Sequence, residues 1–129
     1  MTKQMKQVMD ILDEWKPKLE LEHWDITVQV IEEDQPVHMG NVGGEIEPNF
    51  LYQSAIMRIY PICFKQEEDL EETVVHELCH CLTQGYKDLF DKYVFKDKHI
   101  TIDQEAEVNE RLTNWITRLV IETNKRRNK

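Results

Sequence analysis

The sequence predicts an α+β fold, and three patterns carry that prediction. A three–four apolar repeat near the N-terminus marks a helix, alternating apolar residues between 24 and 60 mark about three strands, and two longer three–four repeats after residue 66 mark two more helices. Strands grouped together and helices grouped together argue α+β, not an alternating parallel sheet. The short connections between strands favour a mainly antiparallel sheet. The chain has 129 residues, enough for one domain spanning 1–129.

The first helix is predicted over residues 2 to 15, with Met5, Val8, Met9, Leu12 and Trp15 on one face. Thr2 is placed to cap it, and Pro17 limits its extension. Trp24, Ile26, Val28 and Val30 alternate with polar residues and mark a half-buried strand. Glu32 to Pro36 is a polar turn. Met39 to Glu47 is a weaker strand, because its glycines suggest a bend or bulge. Pro48-Asn49 is a turn signal, and residues 50 to 60 form a third strand with Ala55, Met57 and Ile59 on one face.

Residues 66 to 84 begin with acids (Glu67, Glu68, Asp69, Glu71, Glu72) that suit the positive end of a helix dipole. Leu70, Val74, Leu78 and Leu82 then recur every fourth residue, and Gly85 is a stop signal. Residues 86 to 100 are a mixed connection. A long helix follows from Asp103 to about Thr123, with Val108, Leu112, Trp115, Ile116, Leu119 and Val120 as its apolar stripe.

Composition narrows the function classes. About 40% of residues are hydrophobic and 32% charged, an ordinary globular mix. No stretch approaches a membrane span. The net charge is −9, so strong nucleic-acid binding is not expected. The basic tail, Lys125, Arg126, Arg127 and Lys129, reads as a solvated helix end. Three cysteines, Cys63, Cys79 and Cys81, form no even disulfide framework. The polar N-terminus lacks the apolar run of a secretory signal. Both point to a cytoplasmic protein with reduced thiols.

The chemistry lies in His76-Glu77-Leu78-Cys79-His80, an H-E-x-x-H sequence inside the predicted helix. Residues i and i+4 share a helix face, so His76 and His80 can present two imidazoles to one metal ion. Glu77 lies beside them, where a carboxylate can take a proton from metal-bound water. The surrounding residues are apolar, and buried polar groups need partners.

Catalytic zinc takes three protein ligands and an open fourth position. Thr83 and Tyr86 stand where a metzincin places glycine and histidine, which removes that class. The downstream candidates are His99, Asp103, Glu105, Glu107 and Glu110. Helical phase puts Glu105 on the apolar stripe and Glu107, Glu110, Arg111, Asn114 and Arg118 on the wet face. An acid on a buried stripe is unusual unless paired or metal-bound, so Glu105 is the predicted third ligand, with His99 as its rival. Asn109, one turn on, is placed to orient a ligand or accept from a ligand histidine.

His76-Glu77-x-x-His80 followed by Glu105-x-x-x-Asn109 resembles the gluzincin metallopeptidases. The similarity is to the minimal, single-domain minigluzincins and the related SprT-like domains, including small versions from phages and prophages. It covers most of the chain. It implies a minimal zincin fold, one catalytic zinc ion, and hydrolysis of a peptide or protein substrate with Glu77 as general base. SprT-like proteins proper use a third histidine, whereas this chain follows the glutamate form. The resemblance also implies an edge strand, expected at residues 54 to 60, that binds an extended peptide. Tyr86, Tyr93 and His99 are candidates to stabilise the oxyanion. Two other readings stay open: a latent or non-proteolytic zinc-stabilised binding module, and a SprT-like protease acting on DNA-associated proteins.

The remaining residues read as structural. The three cysteines are small buried hydrophobes. Trp15, Trp24 and Trp115 are core residues, and His23 and His38 are isolated and exposed.

Overall fold

The computed structural model describes residues 2–33, 43–65, 67–93 and 102–127; the side chains of 67, 68, 85–93 and 102–105 are left out of that description. The order is helix α1 (Lys3–Lys18), strands β1 (Asp25–Val30), β2 (Gly44–Asn49) and β3 (Ser54–Ile59), a 3₁₀ turn (Pro61–Phe64), then helices α2 (Glu67–Tyr93) and α3 (Ile102–Arg127). The α+β prediction holds. His38 and most of the 32–36 turn lie outside the described residues.

Helix α1 starts where the sequence placed it. Thr2 Oγ1 accepts from Met5 N at 3.1 Å, which satisfies one of the free N–H groups of the first turn. Val8, Leu12 and Trp15 are buried on its inner face.

The sheet order is β1-β3-β2. β2 and β3 form the expected antiparallel pair, from Gly44 opposite Ile59 to Asn49 opposite Ser54. β1 pairs with β3 in parallel, from Asp25 opposite Ser54 to Val30 opposite Ile59, so the sheet is mixed. Pro48 and Asn49 end β2 instead of forming the turn alone. The Asn49 side chain accepts from Tyr52 N at 3.2 Å, and Gln53 takes the left-handed conformation that completes the reversal.

Residues 54 to 60 are not an edge. Ala55, Met57 and Ile59 are almost fully buried, and β3 pairs on both sides, so the centre is its natural place. The edge facing the helices is β2. Tyr60 N donates to Gly43 O at 2.9 Å, and antiparallel ladder alternation then turns the main-chain groups of Gly44, Ile46 and Pro48 away from β3. Pro48 has no N–H to waste on that open side.

The core lies between one sheet face and helices α1 and α2. Val8, Leu12 and Trp15 meet Met57 and Ile59 from the sheet and Leu70, Val74, Val75 and Leu78 from α2. Leu82 departs from its predicted stripe and is exposed. Gly85 does not stop α2, which runs on to Tyr93. A helical glycine costs only about 1 kcal/mol against alanine, less than a run of favourable neighbours returns.

β2 lies close over α2. A Cβ on Gly44 would sit 2.9 Å from Thr73 Cγ2 and 3.2 Å from the Arg58 carbonyl oxygen. Gly44→Ala therefore lowers unfolding stability by about 1–3 kcal/mol. Trimming Thr73 to serine in the same protein returns part of that loss. Urea titration of the single and double variants measures both effects; equal stability of Gly44→Ala and wild type would contradict the close approach.

Candidate metal centre

Helix α2 delivers two imidazoles to one face. The His76 and His80 rings are 4.8 Å apart between centroids and nearly perpendicular, at 85°. Both rings are largely shielded, and their neighbours Val74, Val75, Leu78 and Cys79 are completely buried, which anchors this part of the helix in the core.

The third group comes from α3. Glu110 Oε1 lies 3.0 Å from His80 Nε2, and its Oε2 lies 3.4 Å from His76 Nε2. The ligand atoms of His76, His80 and Glu110 lie within 4.8 Å of one another. Two imidazole nitrogens and a carboxylate crowded together call for a positive charge among them, either a proton or a metal ion. Two histidines and one glutamate are a donor set suited to a divalent ion such as zinc.

Glu77 is 6% exposed and its Oε1 lies 3.9 Å from His76 Nε2. Burial pushes its carboxyl up to about 8, and the negative charges of Glu110 and Glu45 add to the rise. Burial also lowers the His80 imidazole below its ordinary value, Glu110 opposes that shift, and His76 reinforces it. The site opens into a cleft of about 480 Å³ between β2 and the two helices, walled by Ile46 and Pro48 on one side and Gln84 and Asn109 on the other.

The structure brings His76, Glu77 and His80 together, as their spacing implies. Asn109 also reaches His80 through its side chain, as predicted. The side chains of Asp103, Glu105, Tyr86, Tyr93 and His99 lie outside the described residues. Among the described residues, Glu110 is the acid brought to the histidines, and it is exposed, as its place on the wet face predicts.

The wet face of α3 is as expected, with Glu107, Glu110, Arg111, Asn114 and Arg118 exposed, but its apolar stripe is only partly the inner face. The buried face of α3 carries Thr113 and Thr117, while Val108, Trp115 and Leu119 are 59%, 63% and 51% exposed. Trp115 is thus not a core residue. Ile116 and Val120 of the predicted stripe pack against the core, and the same inner face carries the buried Thr113 and Thr117. Their hydroxyls are satisfied within the helix: Thr113 donates to Asn109 O at 2.8 Å and Thr117 to Thr113 O at 2.7 Å. One signal did point to Glu110, since Glu110-x-x-x-Asn114 fits the same Glu-x-x-x-Asp/Asn form as Glu105-x-x-x-Asn109.

The three cysteines are buried. Burial raises the Cys63 thiol to about 11 and the Cys81 thiol to about 12, which keeps them protonated and unreactive. No helix among the described residues is long and apolar enough to cross a membrane. No protein-family profile, curated protein or solved structure matches the chain.

The raised Glu77 carboxyl has a stability consequence. Its ordinary value is 4.5 and its folded value about 8. Below 4.5 the group is protonated folded and unfolded, so burial carries no ionic cost. As pH rises toward 8 the unfolded chain ionises and the folded one resists, so stability falls. In protein dialysed against a chelator, Glu77→Gln is therefore close to neutral at pH 4.5 and stabilising at pH 8.5. The gain is on the order of a few kcal/mol, from about 1.4 kcal/mol per pKa unit. Denaturant titrations at the two pH values test this, and a pH-independent difference would refute it.

Proposed function

We propose that this chain is a zinc-dependent endopeptidase. One observation carries the reading: His76, His80 and Glu110 converge from two helices within 4.8 Å, beside a buried glutamate and at the mouth of a cleft.

A divalent ion held by those three groups would lower the pKa of a bound water toward neutrality. Glu77 is the general base: it accepts the proton of the attacking water and passes it to the leaving amine. Its carboxyl lies 3.9 Å from His76 Nε2, within reach of a water held at the same site. Among the described residues no strand pairs with the outer side of β2, which borders the same cleft, so an extended peptide added to Gly44 and Ile46 would bring its carbonyls past the metal site. The net charge of −9 disfavours direct capture of nucleic acid and supports a peptide substrate.

Elemental analysis of protein purified without added metal tests the ligand set. Wild type and Glu105→Ala are expected to hold about one zinc each, and His76→Ala and Glu110→Ala well under half. Loss of zinc in Glu105→Ala but not Glu110→Ala would move the third ligand to Glu105, and zinc absent from wild type would end the reading. In the zinc-loaded protein, Glu77→Gln is expected to cut hydrolysis of unfolded casein by at least about 100-fold while zinc content holds. Glu77-independent cleavage would point to a contaminant.

A further inference from the structure

We propose that Thr113 is a positioning residue that fixes which nitrogen of His80 faces the metal site; the inference rests on the metal reading above. Thr113 is completely buried on α3, and its Oγ1 lies 3.4 Å from His80 Nδ1. Its hydroxyl has one proton, already donated to the Asn109 carbonyl at 2.8 Å. Toward His80 it can act only as an acceptor.

The direction of the chain is thereby set. His80 Nδ1–H donates to Thr113 Oγ1, and Thr113 O–H donates to Asn109 O. A neutral imidazole with its proton on Nδ1 presents a lone pair at Nε2, the nitrogen that lies 3.0 Å from Glu110 Oε1. Thr83 closes the same pocket from α2. Its Oγ1 donates to the His80 carbonyl at 3.3 Å and lies 3.5 Å from Thr113 Oγ1. The Asn109 side chain also reaches the imidazole, so the ring is gripped by α3 at two residues one turn apart. Thr113 is the one whose protonation is dictated by a main-chain carbonyl.

A threonine bonded back to its own helix can also be mere filling, and the isosteric variant separates the two roles. Thr113→Val keeps the shape and removes the acceptor, leaving a buried Nδ1–H without this partner. Thr113→Ser keeps the acceptor and loses a methyl group. Zinc affinity measured by competition with a chromophoric chelator is expected to fall about 10- to 100-fold in Thr113→Val and to stay within about threefold of wild type in Thr113→Ser. The unfolding midpoints of the chelator-treated proteins report the purely structural cost, which a filling role would move without a selective loss of zinc affinity.

Nitrogen-15 long-range NMR of the zinc-loaded wild type supplies a readout that needs no variant. His80 should show a protonated Nδ1 and a metal-bound Nε2. A metal-bound Nδ1, or zinc affinity in Thr113→Val equal to wild type, overturns the proposal. Wild type that takes up no zinc instead ends the metal reading on which it rests.

Discussion

One carboxylate ties the C-terminal helix to the histidine face of its neighbour. Glu110 reaches across from α3 to lie 3.0 Å from His80 Nε2 and 3.4 Å from His76 Nε2. Acceptor atoms do not crowd together unless something positive sits among them. Everything proposed for this protein depends on that demand, because α2 alone supplies only two donors and cannot complete a metal site.

The rest of the fold holds that junction in place. α2 is rooted in the core through Leu70, Val74, Val75 and Leu78, which gives the histidines a stiff base. Gly44 lets β2 approach the helix closely, so the open sheet edge borders the cleft that Glu77 also lines. Glu77 stays next to the two imidazoles but out of water, and its burial raises its pKa. On the proposed reading, a burial that is unfavourable for stability keeps the proton acceptor beside the site.

Much of this was legible in the residues alone. Apolar alternation found β1 and β3, the three–four repeat found α1 and α2, and the H-E-x-x-H spacing found the two imidazoles and their glutamate, because each pattern is local. The order of strands was not legible. Whether β3 lies at an edge or in the centre depends on a parallel partner that residues 54 to 59 do not themselves encode, although complete burial of Met57 and Ile59 agrees with a central place. Glu110 was passed over for a different reason: periodicity ranks an acid by the apolar stripe it shares, whereas the inner face of α3 mixes Thr113 and Thr117 with Ile116 and Val120, and Glu110 meets the histidines from its exposed side.

Threonines on the inner face make physical sense for a helix that packs beside a polar cluster. Small β-branched hydroxyl side chains let α3 approach α2, as the contact between Thr83 and Thr113 shows. They satisfy their own protons on the helix backbone, so burial leaves no donor stranded. They also keep oxygen lone pairs available beside His80, which valine or leucine would not. An apolar inner stripe would bury more hydrocarbon and bind α3 more tightly by area alone. On the proposed reading, part of the attachment is transferred to coordination: ligands on two helices share one ion, and its binding energy also becomes docking energy. Of the apolar residues that periodicity assigned to the core, Ile116 and Val120 do pack against it, while Val108, Trp115 and Leu119 stand exposed, so hydrocarbon alone does not hold α3 in place.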